Sequence, residues 1–415
     1  MARLLPALLV LPLLFLREYR APLEEASRIY DRIGDSFRLA DVFLLSVCVL
    51  VLLLRPKVAE TLPLPRSVRL SGLGAGFALC VALAYGFSNG GSEFFYDWRA
   101  IVLGTAVAVV VRRSIPNLTG TAAWQFWLLG SCGLFATYTL ADFFTGGGVP
   151  SLDTGGLIPL SDGAALSVLC VSAVLASAWL LLASRWAVVF ACLTGLPCVL
   201  VVLLAARRSH WVQMVAGTVL IVCWMRRRRR AFWLALLSAV VLAVAVFVMG
   251  ADRAAGRVLS MNPFSRGTLY SSTNNDHVND LLDAWEQIAE SPVFGIGLGR
   301  SYGTLRITAW KSESWGVHNA LLHVWTLYGL IGLCAYLLWH WALFRWNWMM
   351  VRRWRSARHP DAPLAFAFLA ASLGWQASLF LTGALFTPWP YGSTQVMVLI
   401  GSLWGMMFGV FHRRQ

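Results

Sequence analysis

Charge is what this sequence lacks. Only 13% of its 415 residues are Asp, Glu, Lys or Arg, about half the share a soluble protein carries. That shortfall excludes a soluble enzyme of several domains, and the length is not divided into domains on such an assumption. Acidic side chains are scarcest, 20 against 34 basic ones. Cysteine is sparse, and its placement says more than its number. All 8 (Cys48, Cys80, Cys132, Cys170, Cys192, Cys198, Cys223 and Cys334) fall inside apolar runs and none in a hydrophilic loop. That is the pattern of small buried hydrophobes, not of a disulfide framework or a zinc site. Strict alternation of apolar and polar residues is missing, which excludes an outer-membrane barrel. Disorder, coiled coil and repeat solenoid are excluded too.

Apolar sequence is what the chain has in abundance: 58% of residues are hydrophobic and 20 are Trp, with a mean hydropathy of +0.66. The apolar residues gather in runs of roughly 17–25, the length a helix needs to cross a bilayer, and tryptophan suits long membrane interfaces. The expected fold is an all-α polytopic membrane protein of about twelve transmembrane helices. The spans fall near 3–16, 39–54, 70–88, 99–111, 123–142, 163–183, 187–205, 210–225, 231–249, 317–344, 363–384 and 391–411. Arg17-Glu18-Tyr19-Arg20 follows the first run directly, leaving no small-residue cleavage site, so it is read as a span and not as a signal peptide.

Alternate connections lie on opposite sides, and the charges divide accordingly. One side holds 20 of the 34 basic residues, among them Arg226 to Arg230, against only Glu60 and Asp361. Short basic loops stay in the cytoplasm. Both termini are therefore expected there, and the net charge of +14 marks orientation and gives no support to nucleic-acid binding. The organisation expected is spans one to nine over 1–249, one large outward loop over 250–316, and spans ten to twelve over 317–415.

That loop is too long for an idle connector. Val278, Leu281, Leu282, Trp285, Ile288 and Ala289 recur at helical spacing, which predicts an amphipathic helix on the membrane surface or over a cavity, ended by Ser291-Pro292. Asp276, Asp280 and Asp283 share the other face and read as solvated acids near a helix start, so no metal site is assigned. Gly295-Ile296-Gly297-Leu298-Gly299 follows no βαβ strand and lacks nucleotide-loop spacing. It reads as a tight turn packed on the membrane face.

Three outward positions carry chemistry. Arg207-Arg208-Ser209-His210-Trp211 sits between two spans with almost no loop, and an outward arginine pair runs against the orientation rule. Interfacial snorkelling is its ordinary reading; something anionic outside explains it better. Ser265-Arg266-Gly267 is unremarkable alone. Trp315-Gly316-Val317-His318-Asn319 opens the tenth span, placing at its outer end a side chain of near-neutral pKa. Leu322, Trp325, Gly329 and Gly332 follow on its face, and the glycines permit close helix packing. His323 lies on another face and reads as structural. Arginine forks hold phosphate oxygens and a histidine takes a proton from an attacking hydroxyl. A pyrophosphate leaving group would bring its own activation.

In order and spacing, Ala206–Trp211, Ile288–Gly299, and His318-Asn319 leading to Tyr328-Gly329-Leu330-Ile331-Gly332 resemble the O-antigen ligase and polymerase superfamily, above all the lipopolysaccharide O-antigen ligases. The resemblance is strongest over about 200–335. It implies a GT-C-like, metal-independent, inverting glycosyltransferase of the Gram-negative inner membrane that uses no cofactor. The implied donor is undecaprenyl-pyrophosphate-linked O-antigen, and the implied acceptor is a sugar hydroxyl of lipid A-core on the periplasmic face. His318 would be the base. Arg208 and Arg266 would bind the donor pyrophosphate, with Arg207 beside them. Many relatives carry an arginine just before the amphipathic helix, where this chain has Asn274-Asn275-Asp276-His277, so Arg300 stands as the substitute for Arg266. Asn319, Trp315 and His210 are candidate acceptor or site-lining residues. A cavity under the loop, open sideways to lipid, is expected. Competing readings are O-antigen polymerase, protein O-oligosaccharyltransferase and, from another class, a lipid-linked oligosaccharide transporter.

Overall fold

Residues 32–33, 37–54, 64–88, 94–115, 117–150, 157–160, 163–180, 184–205, 207–224, 243, 247, 271–298, 302–303, 313–314, 319–357, 361–385 and 394–410 are described by a computed structural model. Among these residues run eleven helices: α1 (Leu39–Leu54), α2 (Arg66–Ser88), α3 (Phe94–Ser114), α4 (Leu118–Phe144), α5 (Gly163–Trp179), α6 (Arg185–Leu204), α7 (Arg208–Trp224), α8 (Ser271–Glu290), α9 (Ala320–Ser356), α10 (Ala362–Leu385) and α11 (Thr394–Gly409). Three two-stranded antiparallel pairs join them: β1 (Arg32–Ile33) with β2 (Phe37–Arg38), β3 (Val149–Pro150) with β4 (Leu157–Ile158), and β5 (Tyr302–Gly303) with β6 (Glu313–Ser314).

Ten helices coincide with expected spans, and α8 is the amphipathic helix. The expected spans 3–16 and 231–249 lie outside the described residues, apart from positions 243 and 247. Four described helical stretches are long and apolar enough to cross a membrane: Arg66–Ser88, Arg185–Leu204, Ala320–Ser356 and Ala362–Leu381. Shorter apolar helices run over Val42–Leu53, Ala165–Trp179, Ser209–Val222 and Val396–Gly409.

The helices pack as a bundle whose interior and exterior are both apolar. Trp124, Trp346, Trp375 and Phe368 are fully buried, while Leu73, Leu134, Leu193 and Trp186 stand more than two-thirds exposed. Large apolar side chains exposed on helix after helix are the mark of a lipid-facing surface. Small residues allow the tightest contact. A Cβ on Gly401 would lie 2.1 Å from the Gly104 carbonyl oxygen, one on Gly405 2.6 Å from that of Ala108, and one on Gly409 2.9 Å from that of Arg112. This four-residue glycine repeat lets α11 lie against the α3 backbone.

Most of the core is one cluster around α3 to α7, α10 and α11. A second, smaller cluster (Ala82, Ala284, Ile296, Leu298, Val324, Leu327 and Tyr328) joins α2, α8 and the start of α9. The functional segments meet there and at the start of α7.

Candidate functional site

The start of α7 is built against the start of α5. After α6 ends at Leu204, the chain turns within a few residues, and the N–H groups of His210 and Trp211 bond back to the Arg207 carbonyl at 3.1 and 3.3 Å. The His210 ring is buried. Its Nε2 lies 3.1 Å from the Gly163 carbonyl oxygen and 3.2 Å from Ser167 Oγ, and its Nδ1 3.3 Å from Ser209 Oγ. A carbonyl can only accept, so Nε2 carries the proton and Nδ1 accepts from the Ser209 hydroxyl. Ser167 Oγ also donates to Gly163 O, at 3.0 Å. His210 is thus a latch between the two helices. The exposed Arg207 guanidinium rests over the same corner, since a Cβ on Gly163 would lie 3.5 Å from its Nη1. Two helix N-termini with their partial positive charge, and an adjacent arginine pair, make this corner suited to an anion.

The second element is a break in α9. The 37-residue helix is two helices joined at Gly329, which has φ +65° and ψ −172°. The break interrupts the helical ladder, and the segment after α8 repairs it. Ile296 N–H donates to Thr326 O at 2.8 Å and Gly297 N–H to Leu327 O at 3.1 Å. In the other direction, Leu330 N–H donates to Pro292 O at 2.9 Å and Ile331 N–H to Val293 O at 3.4 Å. In an unbroken helix Leu330 and Ile331 would have bonded to Thr326 and Leu327 themselves. Four bonds to the loop therefore satisfy groups that two helical bonds would have used. Trp325 Nε1 adds a bond to Pro292 O at 3.0 Å, and Leu298 N–H one to Ala82 O of α2 at 3.1 Å. Residues 292–298 form a strap wedged between α2 and α9. The expected glycine turn is present as far as Leu298, and it packs into this joint.

The strap requires its glycines. Gly295 and Gly297 have φ of +72° and +86°, values that L side chains adopt at a cost. A Cβ on Gly295 would lie 2.5 Å from Gly329 N, and one on Gly86 2.1 Å from Leu298 O. Beyond the strap, Asn319 caps α9, its side-chain oxygen accepting from Leu321 and Leu322 N–H at 3.0 Å each. The first half of α9 is therefore held by a cap at one end and by the strap at the other.

Helix α8 packs differently from its sequence pattern. Ala284 and Ile288 are buried in and around the second cluster, and so is Asp283, at 4% exposed. Leu281, Leu282 and Trp285 remain exposed, although Trp285 meets Trp325 edge-on at 5.9 Å. The expectation that Asp283 lies on a solvated face is corrected. The small Ala284 lets α8 approach α9 closely, which carries the adjacent Asp283 inward and leaves the large apolar residues exposed. An apolar groove of about 370 Å³, open to the side, lies between α2 and the strap, lined by Val81, Ala84, Tyr85, Ser88 and Phe294.

Residues 193–337 match the family described as O-antigen ligase. That segment is about a third of the chain, and it supports a place in the O-antigen ligase superfamily. No curated protein matches it. The ligase-family segment opens inside α6, takes in Arg207 to Trp211, α8, the strap and Asn319, and closes in α9 beyond the break. A match to this family suggests glycosyltransferase-like activity in general and implies a setting of membrane lipid and lipid-linked glycan. Of the expected site residues, Arg207, His210 and Asn319 are described with their side chains, and Arg208 by its backbone as the first residue of α7. His318, Trp315, Arg266 and Arg300 lie outside the described residues, His318 directly before the α9 cap. Sequence reasoning missed Gly163 and Ser167, which hold His210, and Ala82 and Gly86, which receive the strap. A signal was available in α2, where Ala82 and Gly86 form a pair of small residues four apart.

Proposed function

We propose that the protein is an O-antigen ligase of twelve spans with both termini in the cytoplasm of a Gram-negative cell. It transfers O-antigen from undecaprenyl pyrophosphate to a sugar hydroxyl of lipid A-core on the periplasmic face of the inner membrane. The observation that carries this reading is that the ligase-family segment contains both the cationic corner at the start of α7 and the capped half-helix that begins just after His318. The acceptor oxygen attacks the anomeric carbon of the donor sugar. The bond to the pyrophosphate oxygen breaks, configuration inverts, and the hydroxyl proton passes to His318. Arg208, with Arg207 and either Arg266 or Arg300, holds the leaving pyrophosphate as its charge grows. His210, with both ring nitrogens engaged, is a positioning residue for the arginine pair.

Transfer by the purified protein, with donor binding measured separately, tests this. His318→Ala loses roughly 10²–10⁴-fold in turnover with donor affinity kept. Arg208→Ala loses both, and Arg208→Lys recovers part, because an ammonium lacks the planar fork. Normal turnover of His318→Ala at saturating donor refutes the mechanism. Glycan chains lengthened on the lipid donor in place of lipid A-core would make the protein a polymerase; no covalent product at all would make it a transporter.

A further inference from the structure

Helices α2 and α9 run antiparallel. Gly297 and Leu298 tie Leu327 of α9 to Ala82 of α2 at one end. At the other, a Cβ on Gly72 would lie 3.1 Å from the Trp339 ring. Arg66 precedes Gly72 by six residues and Arg345 follows Trp339 by six. At the helical rise, both therefore stand about 9 Å from that crossing, at the same level. Arg69 lies between, and α9 continues past Arg345 for two more turns that bring Arg352 and Arg353. All five arginines are exposed, and neither helix contains a single Asp or Glu. Below this basic level both helices turn apolar side chains outward: Leu70 and Leu73 on α2, Leu338 and Trp341 on α9, between 56% and 71% exposed. The Arg352 guanidinium lies 5.3 Å from the centre of the Trp348 ring.

We infer that the α2–α9 end bearing Arg66, Arg69, Arg345 and Arg352 is a binding site for an anionic glycerophospholipid. Its acyl chains lie along the exposed Leu70–Leu73 and Leu338–Trp341 stripes and its phosphate is held by the arginines. Charge complementarity chooses the occupant. A solvated basic face would carry interspersed acids, whereas neither of these helices carries one, and their arginines adjoin an exposed apolar stripe. Trp348 lies within cation–π distance of the Arg352 guanidinium. Arg345 and Arg352 are seven residues apart, about 10 Å along the helix, so the site spans more than one phosphate.

The test is lipid retention by the full-length protein, read by native mass spectrometry after exchange into mixed phosphatidylglycerol, cardiolipin and phosphatidylcholine. Selective retention of the anionic lipids is expected. One basic residue strengthens attraction to an anionic lipid surface about fivefold, so Arg66→Gln with Arg69→Gln and Arg345→Gln lowers retention about 100-fold. The corresponding Arg→Lys variant keeps much of it. Arg185→Gln, an exposed arginine at the start of α6, serves as control and leaves retention unchanged. Equal retention of phosphatidylcholine, unchanged retention in the triple Gln variant, or equal loss in the control overturns the assignment. Sugar transfer is not the readout, so this inference and the proposed ligase reaction fail or survive separately.

Discussion

Gly295→Ala is the change that most directly tests the joint between strap and broken helix. The added Cβ meets only backbone: Gly329 N at 2.5 Å and Leu327 C and O at 2.6 Å. No side chain can swing away, so the strap must lift from α9. A left-handed φ of +72° costs an L residue about 1–2 kcal/mol by itself. Lifting the strap also breaks the bonds from Ile296 and Gly297 to Thr326 and Leu327. Each buried backbone group left unpaired costs about 1–3 kcal/mol. With partial compensation of the four groups in those two bonds, the total is about 4–8 kcal/mol, a large part of an ordinary stability of about 5–15 kcal/mol. Buried Cys132, Cys170 and Cys198 provide the assay, because a thiol-reactive dye in detergent reports their exposure on heating. The variant is expected to unfold at least about 10 °C below the parent. Gly74→Ala is the control: it lies in α2 with no atom within 4 Å of its added Cβ, and alanine in a helix is if anything stabilising. Unfolding of Gly295→Ala at the parental temperature would refute the strap as described.

Gly401→Ala places its methyl 2.1 Å from the Gly104 carbonyl oxygen and should push α11 off α3, with a loss of about 1–3 kcal/mol or more seen in the same thermal assay. His210→Ala removes the bonds to Gly163 and Ser167 and should cost about 2 kcal/mol; if transfer falls while stability holds, the ring acts on substrate and is no latch. Transfer should survive excess EDTA, because arginines take the phosphate charge in the proposed site. Loss of transfer restored by magnesium or manganese would count against that division of labour.

The helices were legible because a span must satisfy its backbone within itself, which leaves a long apolar run little other choice. Thus the run 39–54 is α1 to the residue, and Ser291-Pro292 ends α8 at Glu290. The helix start at Arg208 was also legible, whereas Asn319, read as a site-lining candidate, is seen in the structure as the cap of α9. The glycines of 295–299 were visible, but their partner was not. A break in a helix is invisible to periodicity when its carbonyls are answered from elsewhere in the chain. Gly329 reads as a packing glycine until Pro292, Val293, Ile296 and Gly297 are seen to complete its ladder. Asp283 failed for a related reason. A hydrophobic stripe predicts which face of α8 is apolar, but the small size of Ala284 decides which face comes closest to α9. The strap also has leverage on the proposed chemistry. It fixes one end of a half-helix only nine residues long, from Ala320 to Tyr328, whose other end begins just after His318. A shift at Gly329 therefore reaches the proposed base through rigid helix, so changes in the strap should alter turnover even though no strap residue touches a reacting atom.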